Sequence, residues 1–273
     1  MNPTLQAFKP SDRAIGAFRP NRPDFSPVAP KAMSQAPAEA ALERAFRPAN
    51  PELVSFLVNG LYLIGSHRIL EWDSRDAGIA EDLEALGHRV TAASASSLAP
   101  PLDLAAGSFD RAMLVSRAFG YGGDEADRLW LKTMHQALQP GGLLLFHVLD
   151  RDRAWSLVRD FPGQAGQGAA GTKADAAFDP ASGKVTARIR PGHVEGGGPS
   201  PAGRPVSVRA FNLGELRALL AATGFTLERA YGDWQGGGLE EAGERTGRIL
   251  AVASKNRRMN RKTRSGAGRR GAP

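Results

Sequence analysis

Along the middle of the chain, apolar and polar residues follow two rhythms. Short apolar runs at 68–72, 89–93, 111–116, 143–149 and 184–190 suit buried strands. Between them the spacing changes: Ile79, Leu83 and Leu86 recur at helical intervals, which predicts a helix near 77–86 ended by Gly87. A second amphipathic pattern predicts a helix near 124–138. The most apolar stretch, LVSFLVNGLYLI at Leu53–Ile64, is interrupted by Asn59 and Gly60. It is shorter than the ~20 residues a bilayer span needs, so it is expected to form a helix that covers the sheet ahead of the first strand. Strands alternating with helices favour an α/β fold, a mostly parallel sheet with helices on both faces. A chain of 273 residues accommodates one such domain with a sizeable core.

The ends read differently, and three segments are expected: 1–50, 51–254 and 255–273. The first is rich in proline and repeats a short unit, Ala7-Phe8-Lys9-Pro10, Ala17-Phe18-Arg19-Pro20 and Ala45-Phe46-Arg47-Pro48. Each A-F-K/R-P unit offers one aromatic anchor on a stiff backbone, as a docking motif for a protein partner would; chance repetition in an Ala-, Arg- and Pro-rich stretch is the competing reading. No apolar core of a secretory signal is visible, and Asp12 and Asp24 speak against a transit peptide, so a cytoplasmic protein is expected. The last segment carries Lys255, Arg257, Arg258, Arg261, Lys262, Arg264, Arg269 and Arg270 and no acid. The formal net charge is +7, yet the central segment has 20 basic and 24 acidic side chains, or −4; the basic character lies at the ends. Such a tail is expected to be disordered alone and suits RNA or another polyanion through salt-sensitive phosphate contacts, or serves only to keep the protein soluble. Glycine-rich stretches at 163–171 and 196–203 read as surface loops.

Several motifs in order give the centre an ancestry. Arg68–Ser96, RILEWDSRDAGIAEDLEALGHRVTAASAS, resembles motif I of the class I S-adenosylmethionine-dependent methyltransferases, with Gly87-His88-Arg89-Val90-Thr91 leading into the second strand. GSFD at 107–110, the loop after Ser116, and Gln139-Pro140-Gly141-Gly142 match that family's fourth strand, following loop and turn into the fifth strand. FDPASGKV at 178–185, LGELRALLAATGF at 213–225 and YGDW at 231–234 resemble its C-terminal strand, helix and closing hairpin. The resemblance spans roughly residues 50–255 and implies a Rossmann-like methyltransferase fold, with S-adenosylmethionine as cofactor if the protein is active and none otherwise.

Two departures fall on the cofactor site that the resemblance implies. Glu71 holds the strand-end acid position, but the three glycine positions of the following loop are Asp73, Arg75 and Ala77. Glycine there permits a tight turn and close approach of the ligand, whereas these residues add bulk and charge. Ser74 or Asp76 suits an N-cap for the next helix, and Arg75 could alternatively meet the ligand's carboxylate. The acid that would hold the ribose is replaced by Ser94. Only a dozen or so residues, two of them Pro100 and Pro101, then precede GSFD, too few for the family's third strand and its helix. That strand is expected to be missing, leaving the second at the sheet edge.

Other chemistry is sparse. With no cysteine, thiol catalysis and disulfides are excluded, and the five histidines show no metal-ligand spacing. His147, inside an apolar strand, reads as a core residue. Ser116, Arg117, Phe119 and Tyr121 after the fourth strand, with Asp150 and Asp152 after the fifth, occupy the family's substrate-side positions; the two aromatics suit a packed loop as well as a pocket. No residue stands out as a general base. Two functions follow. One is a pseudoenzyme, a binding or scaffold component with a tail for a polyanion. The other is an active methyltransferase with an atypical cofactor loop and an unidentified acceptor.

Overall fold

The structure, a computed structural model, describes residues 50–72, 77–93, 104–164, 173–190, 205–239 and 247–256. Among the described residues nine strands form one mixed sheet in the order β2-β1-β3-β4-β7-β6-β5, with β9 along β4 and β8 outside β9. The strands are β1 Arg68–Trp72, β2 Arg89–Ala93, β3 Phe109–Phe119, β4 Leu138–Asp150, β5 Lys173–Asp179, β6 Lys184–Arg190, β7 Val206–Phe211, β8 Phe225–Tyr231 and β9 Arg248–Lys255. The helices are α1 Asn50–Gly60, α2 Ala77–Ala85, α3 Asp124–Ala137, α4 Ala154–Gln164 and α5 Leu213–Ala222. β1 pairs parallel with β2 and β3, and β4 pairs parallel with β3 and β7; β9 runs antiparallel to β4. Among the described residues no helix is long and apolar enough to cross a membrane.

Alternation of side chains along the strands builds a core on each face. On one face Leu70, Ala112, Leu114, Leu144 and Phe146 meet Trp130, Leu131 and Met134 of α3 and Leu216 and Leu220 of α5. On the other, Ile69, Met113, Leu145 and Leu250 meet Leu53, Phe56 and Leu57 of α1 and Ile79 and Leu83 of α2. Each fully buried leucine contributes about 1.5–3 kcal/mol from apolar area removed from water. The acids Asp124, Glu125 and Asp127 in the first turn of α3 favour its positive end. At α5, Asn212 and Glu215 form a reciprocal capping box that satisfies two otherwise free amides.

Differences from the sequence reading lie in strand ends and in one unforeseen layer. β3 and β4 run longer than 111–116 and 143–149, because the Gln139–Gly142 turn is a bulge inside β4, with Gly141 at φ 80°. FDPASGKV is not one strand: Phe178 and Asp179 end β5, residues 180–183 turn, and Lys184 opens β6. β5, β6 and β7 form an antiparallel extension from the C-terminal end of β4, covered by α4 through Ala154 and Leu157. α4 reaches Gln164, so Gly163, read as the start of a loop, is helical. Lys255 is the last residue of β9, its ammonium donating to the Leu138 carbonyl at 2.7 Å, rather than the first of a tail. Among the described residues β2 has one neighbour, β1, and no strand lies between β2 and β3 in the chain.

Candidate functional site

Ligands of open α/β sheets bind beyond the carboxyl ends of the strands, which here are those of β1, β3 and β4. At the end of β1, Glu71 is fully buried on the α1 side, and Trp72 is buried on the other, edge-on to Trp130 at 6.3 Å. Of the remaining positions that the resemblance assigns to a cofactor, Asp73, Arg75 and Ser94 lie outside the described residues, as do Ser74 and Asp76; Ala77 opens α2.

The end of β3 is irregular. Leu114 pairs with Phe146 and Phe119 with Val148, so the four residues Val115–Ala118 stand opposite a single residue, His147. The bulge lifts Ser116 and Arg117 out of the ladder at the position where bulges re-aim strands beside ligand sites. Phe119 returns to the core, with ring centroids 5.3 Å from Trp130, 5.2 Å from Phe146 and 5.8 Å from Phe211. Gly120 follows with φ 113°, and a Cβ there would lie 2.7 Å from the Arg209 carbonyl oxygen. β7 crosses at this point: the Arg209 amide donates to the Gly120 carbonyl at 3.0 Å, and its guanidinium pairs with Asp124 and lies 4.8 Å from the Phe211 ring. Tyr121 is half-buried against the core of the β5–β7 layer. Phe119 and Tyr121 are thus parts of a packed loop.

Beyond β4, Asp150 and Asp152 belong to a single turn. Asp150 is buried and accepts the Asp152 amide at 3.0 Å; Arg153 stands 3.6 Å from its carboxylate. Burial pushes the Asp150 carboxyl above its ordinary range, against the pull of the Asp152 amide. Asp152 is exposed. Arg151 between them pairs with Glu215 of the α5 capping box and donates to the Pro180 carbonyl at 2.8 Å, tying the β5–β6 hairpin to α5. The structure therefore brings Ser116, Arg117, Phe119, Tyr121, Asp150 and Asp152 to one end of the sheet, with structural contacts for Phe119, Tyr121 and Asp150.

Two features were not read from the sequence. The first is a buried polar pair on the α1 side. His147 lies 5.7 Å from the Trp234 ring, and the Arg248 guanidinium lies 5.9 Å from the same ring. Burial first, and the Arg248 charge second, push the His147 imidazole down to about 3; burial pushes Arg248 down to about 10. The second is an open groove of about 500 Å³ between α1 and the β8–β9 connection, lined by Glu52, Ser55, Phe56, Asn59, Tyr231 and Trp234. Its sequence traces are faint: Asn59-Gly60 interrupts an apolar helix, and YGDW carries two aromatics of a turn. No group of three or more His, Asp or Glu among the described residues could hold a metal ion.

The polyanion candidates Arg257, Arg258, Arg261, Lys262, Arg264, Arg269 and Arg270 lie outside the described residues, as do the three A-F-K/R-P units and the glycine-rich stretches 165–171 and 196–203.

No family model matches the chain, and no curated protein matches it. Solved structures do. The CcbJ methyltransferase from Streptomyces caelestis superposes with a TM-score of 0.57 at 14% identity, over 81% of this chain and 98% of that one. An S-adenosylmethionine-dependent methyltransferase from Clostridium acetobutylicum gives 0.52 at 12% identity, over 77% and 93%. The Rossmann-like fold of the class I methyltransferases, implied by motifs scattered over two hundred residues, is the fold of this chain.

Proposed function

We propose that this is a methyltransferase-fold protein that no longer binds S-adenosylmethionine in its family's manner and acts as a binding or scaffold component. The observation that carries the reading is the position of β2. Its only partner among the described residues is β1, and just ten residues, 94–103, separate it from the described chain that leads into β3. A crossover between parallel strands alone takes at least ~10–12 residues, the whole length of that segment, which supports the absence of the adenine-side strand and its helix. The residues present do not fit the cofactor: Asp73, Arg75 and Ala77 stand in place of the loop glycines, and Ser94 in place of the ribose acid. The packing of Phe119 and Tyr121 under β7 supports the same conclusion, since it commits the substrate-side loop to structure.

The competing reading is an active methyltransferase with an atypical cofactor loop. One observation favours it: the bulge at Val115–Ala118 keeps Ser116 and Arg117 out of the ladder at the strand end where ligands bind. Titration of the purified protein with S-adenosylmethionine, followed by tryptophan emission and calorimetry, separates the two, because Trp72 adjoins the altered loop. No heat and no spectral change up to ~1 mM ligand, a concentration at which even a −4 kcal/mol interaction is half-saturated, is expected. Saturable binding in the micromolar range would overturn the proposal. The basic tail supplies a surface for a polyanion such as RNA, and the A-F-K/R-P units one for a protein partner.

A further inference from the structure

Away from the candidate site, two histidines meet at the amino end of the sheet. β2 is an edge strand: among the described residues it pairs with β1 alone, from Arg68↔Arg89 to Trp72↔Ala93. Of its five residues, Arg89, Thr91 and Ala92 are exposed and only Ala93 is buried, so apolar burial contributes little to holding it. A clamp closes its first rung. The His67 amide donates to His88 Nδ1 at 3.3 Å, and the Arg89 amide donates to the His67 carbonyl at 2.8 Å. The two imidazole rings stack, with centroids 5.8 Å apart and planes 24° from parallel. His88 is buried, and its own amide donates to the Leu83 carbonyl at 3.2 Å, so the clamp also ties β2 to the end of α2.

We propose that His67 and His88 form an acid-sensitive latch, which holds β2 on β1 at neutral pH and releases it when His88 takes up a proton. To accept the His67 amide, Nδ1 of His88 must carry a lone pair, which leaves the ring's one proton on Nε2. A second proton has only Nδ1 to go to, where it faces the His67 N–H. The acceptor becomes a donor, the bond is lost, and a cation is left against a stacked imidazole. Among the described residues no acid is free to compensate that cation. Asp110 of β3 is engaged by Arg68, whose amide and guanidinium donate to it at 2.8, 3.1 and 3.2 Å. Arg111, the next residue of β3, opposes a charge on His67, while Asp110 and the Ile64 carbonyl favour one. Asp82 and Glu84, exposed on the last turn of α2, pair with neither ring, and Arg89 on β2 itself is a further cation. Burial first, then Arg111, holds the His67 imidazole below its ordinary range; burial first, then His67, does the same for His88. The latch is therefore complete above pH ~6.5, where a released ring is neutral, and weakens as pH falls below that value. Release bares the β1 ladder groups of Arg68–Trp72, the kind of edge to which a further strand adds. The inference goes beyond the binding-component reading and does not rest on it.

Backbone hydrogen exchange of the full chain, followed at pH 7 and 5.5 and corrected for the intrinsic pH dependence of exchange, reads the latch directly. The Arg89 amide and those of the β1–β2 ladder are expected to lose protection relative to the β3–β4 ladder by about twofold to eightfold. The upper figure is the factor by which protonation of a released histidine of pKa ~6.5 shifts the opening equilibrium over that interval. In the same unmodified chain the His88 ring, followed by NMR, should titrate below ~6.5 with a midpoint that coincides with the loss of protection. His88→Asn, whose side-chain oxygen accepts the His67 amide but takes no proton, should abolish the pH response. A change below about twofold, a loss shared equally by the β3–β4 ladder, a His88 ring that titrates without that loss, or a His88→Asn chain that responds as the parent does each overturns the proposal.

Discussion

His147 shows how a single side chain carries a pH dependence that its sequence position does not announce. An unfolded histidine titrates near ~6.5, whereas the folded one is held down at about 3 by burial and by Arg248. Between these values the unfolded chain binds the extra proton. The contribution of His147 is therefore complete above pH ~6.5 and declines as pH falls, by at most about 1.4 kcal/mol per unit. His67 and His88, also lowered by burial, add to the same trend, and the raised carboxyl of Asp150 opposes it at lower pH. Urea unfolding at pH 7, 6 and 5 should show His147→Phe losing less stability on acidification than the parent; parallel curves would refute the assignment. The apolar run at 143–149 already marked His147 as a core residue. Arg248 beside it was not legible, because β9 brings it from the far end of the chain.

At the scale of elements, the junction of β3 and β7 fixes the backbone of the loop after β3. S-R-A-F-G-Y is equally compatible with a pocket rim and a packed loop, since aromatic residues serve both. β7 crosses beside it: its backbone hydrogen-bonds Gly120, in a left-handed conformation that leaves no room for a Cβ. Gly120→Ala is expected to cost about 2–3 kcal/mol, combining backbone strain with displacement of β7. That corresponds to a fall in Tm of about 4–12 °C for a domain of this size. A change below about 0.5 kcal/mol would mean that β7 does not cross here. Helix and strand positions in the core were legible because hydrophobic period and burial agree. The β5–β7 layer was not, apart from the strand at 184–190, because its short strands lie between glycine-rich stretches and pair with residues distant in sequence.

At the scale of the molecule, charge separates from fold. The central segment is net −4, and the excess of basic groups sits at the termini. Lys255 completes β9, and beyond it residues 257–273 carry seven basic residues and no acid. Deleting residues 257–273 should leave thermal unfolding within about 0.5 kcal/mol of the full chain, as surface changes usually do. It should also abolish RNA binding whose affinity falls steeply between 50 and 200 mM salt, as counterion release requires. Retained salt-sensitive binding by the shortened chain would place the polyanion surface elsewhere.

The sequence by itself determined the alternating α/β order and the parallel core, because local period, turn chemistry and residue size are properties of neighbouring residues. Tertiary structure alone decided that β7 closes the loop after β3, that Arg151 ties a hairpin to the α5 cap, and that Phe56, Tyr231 and Trp234 make a groove. Those contacts join residues far apart in the chain, and no local pattern encodes which distant strand edge or helix face will meet them.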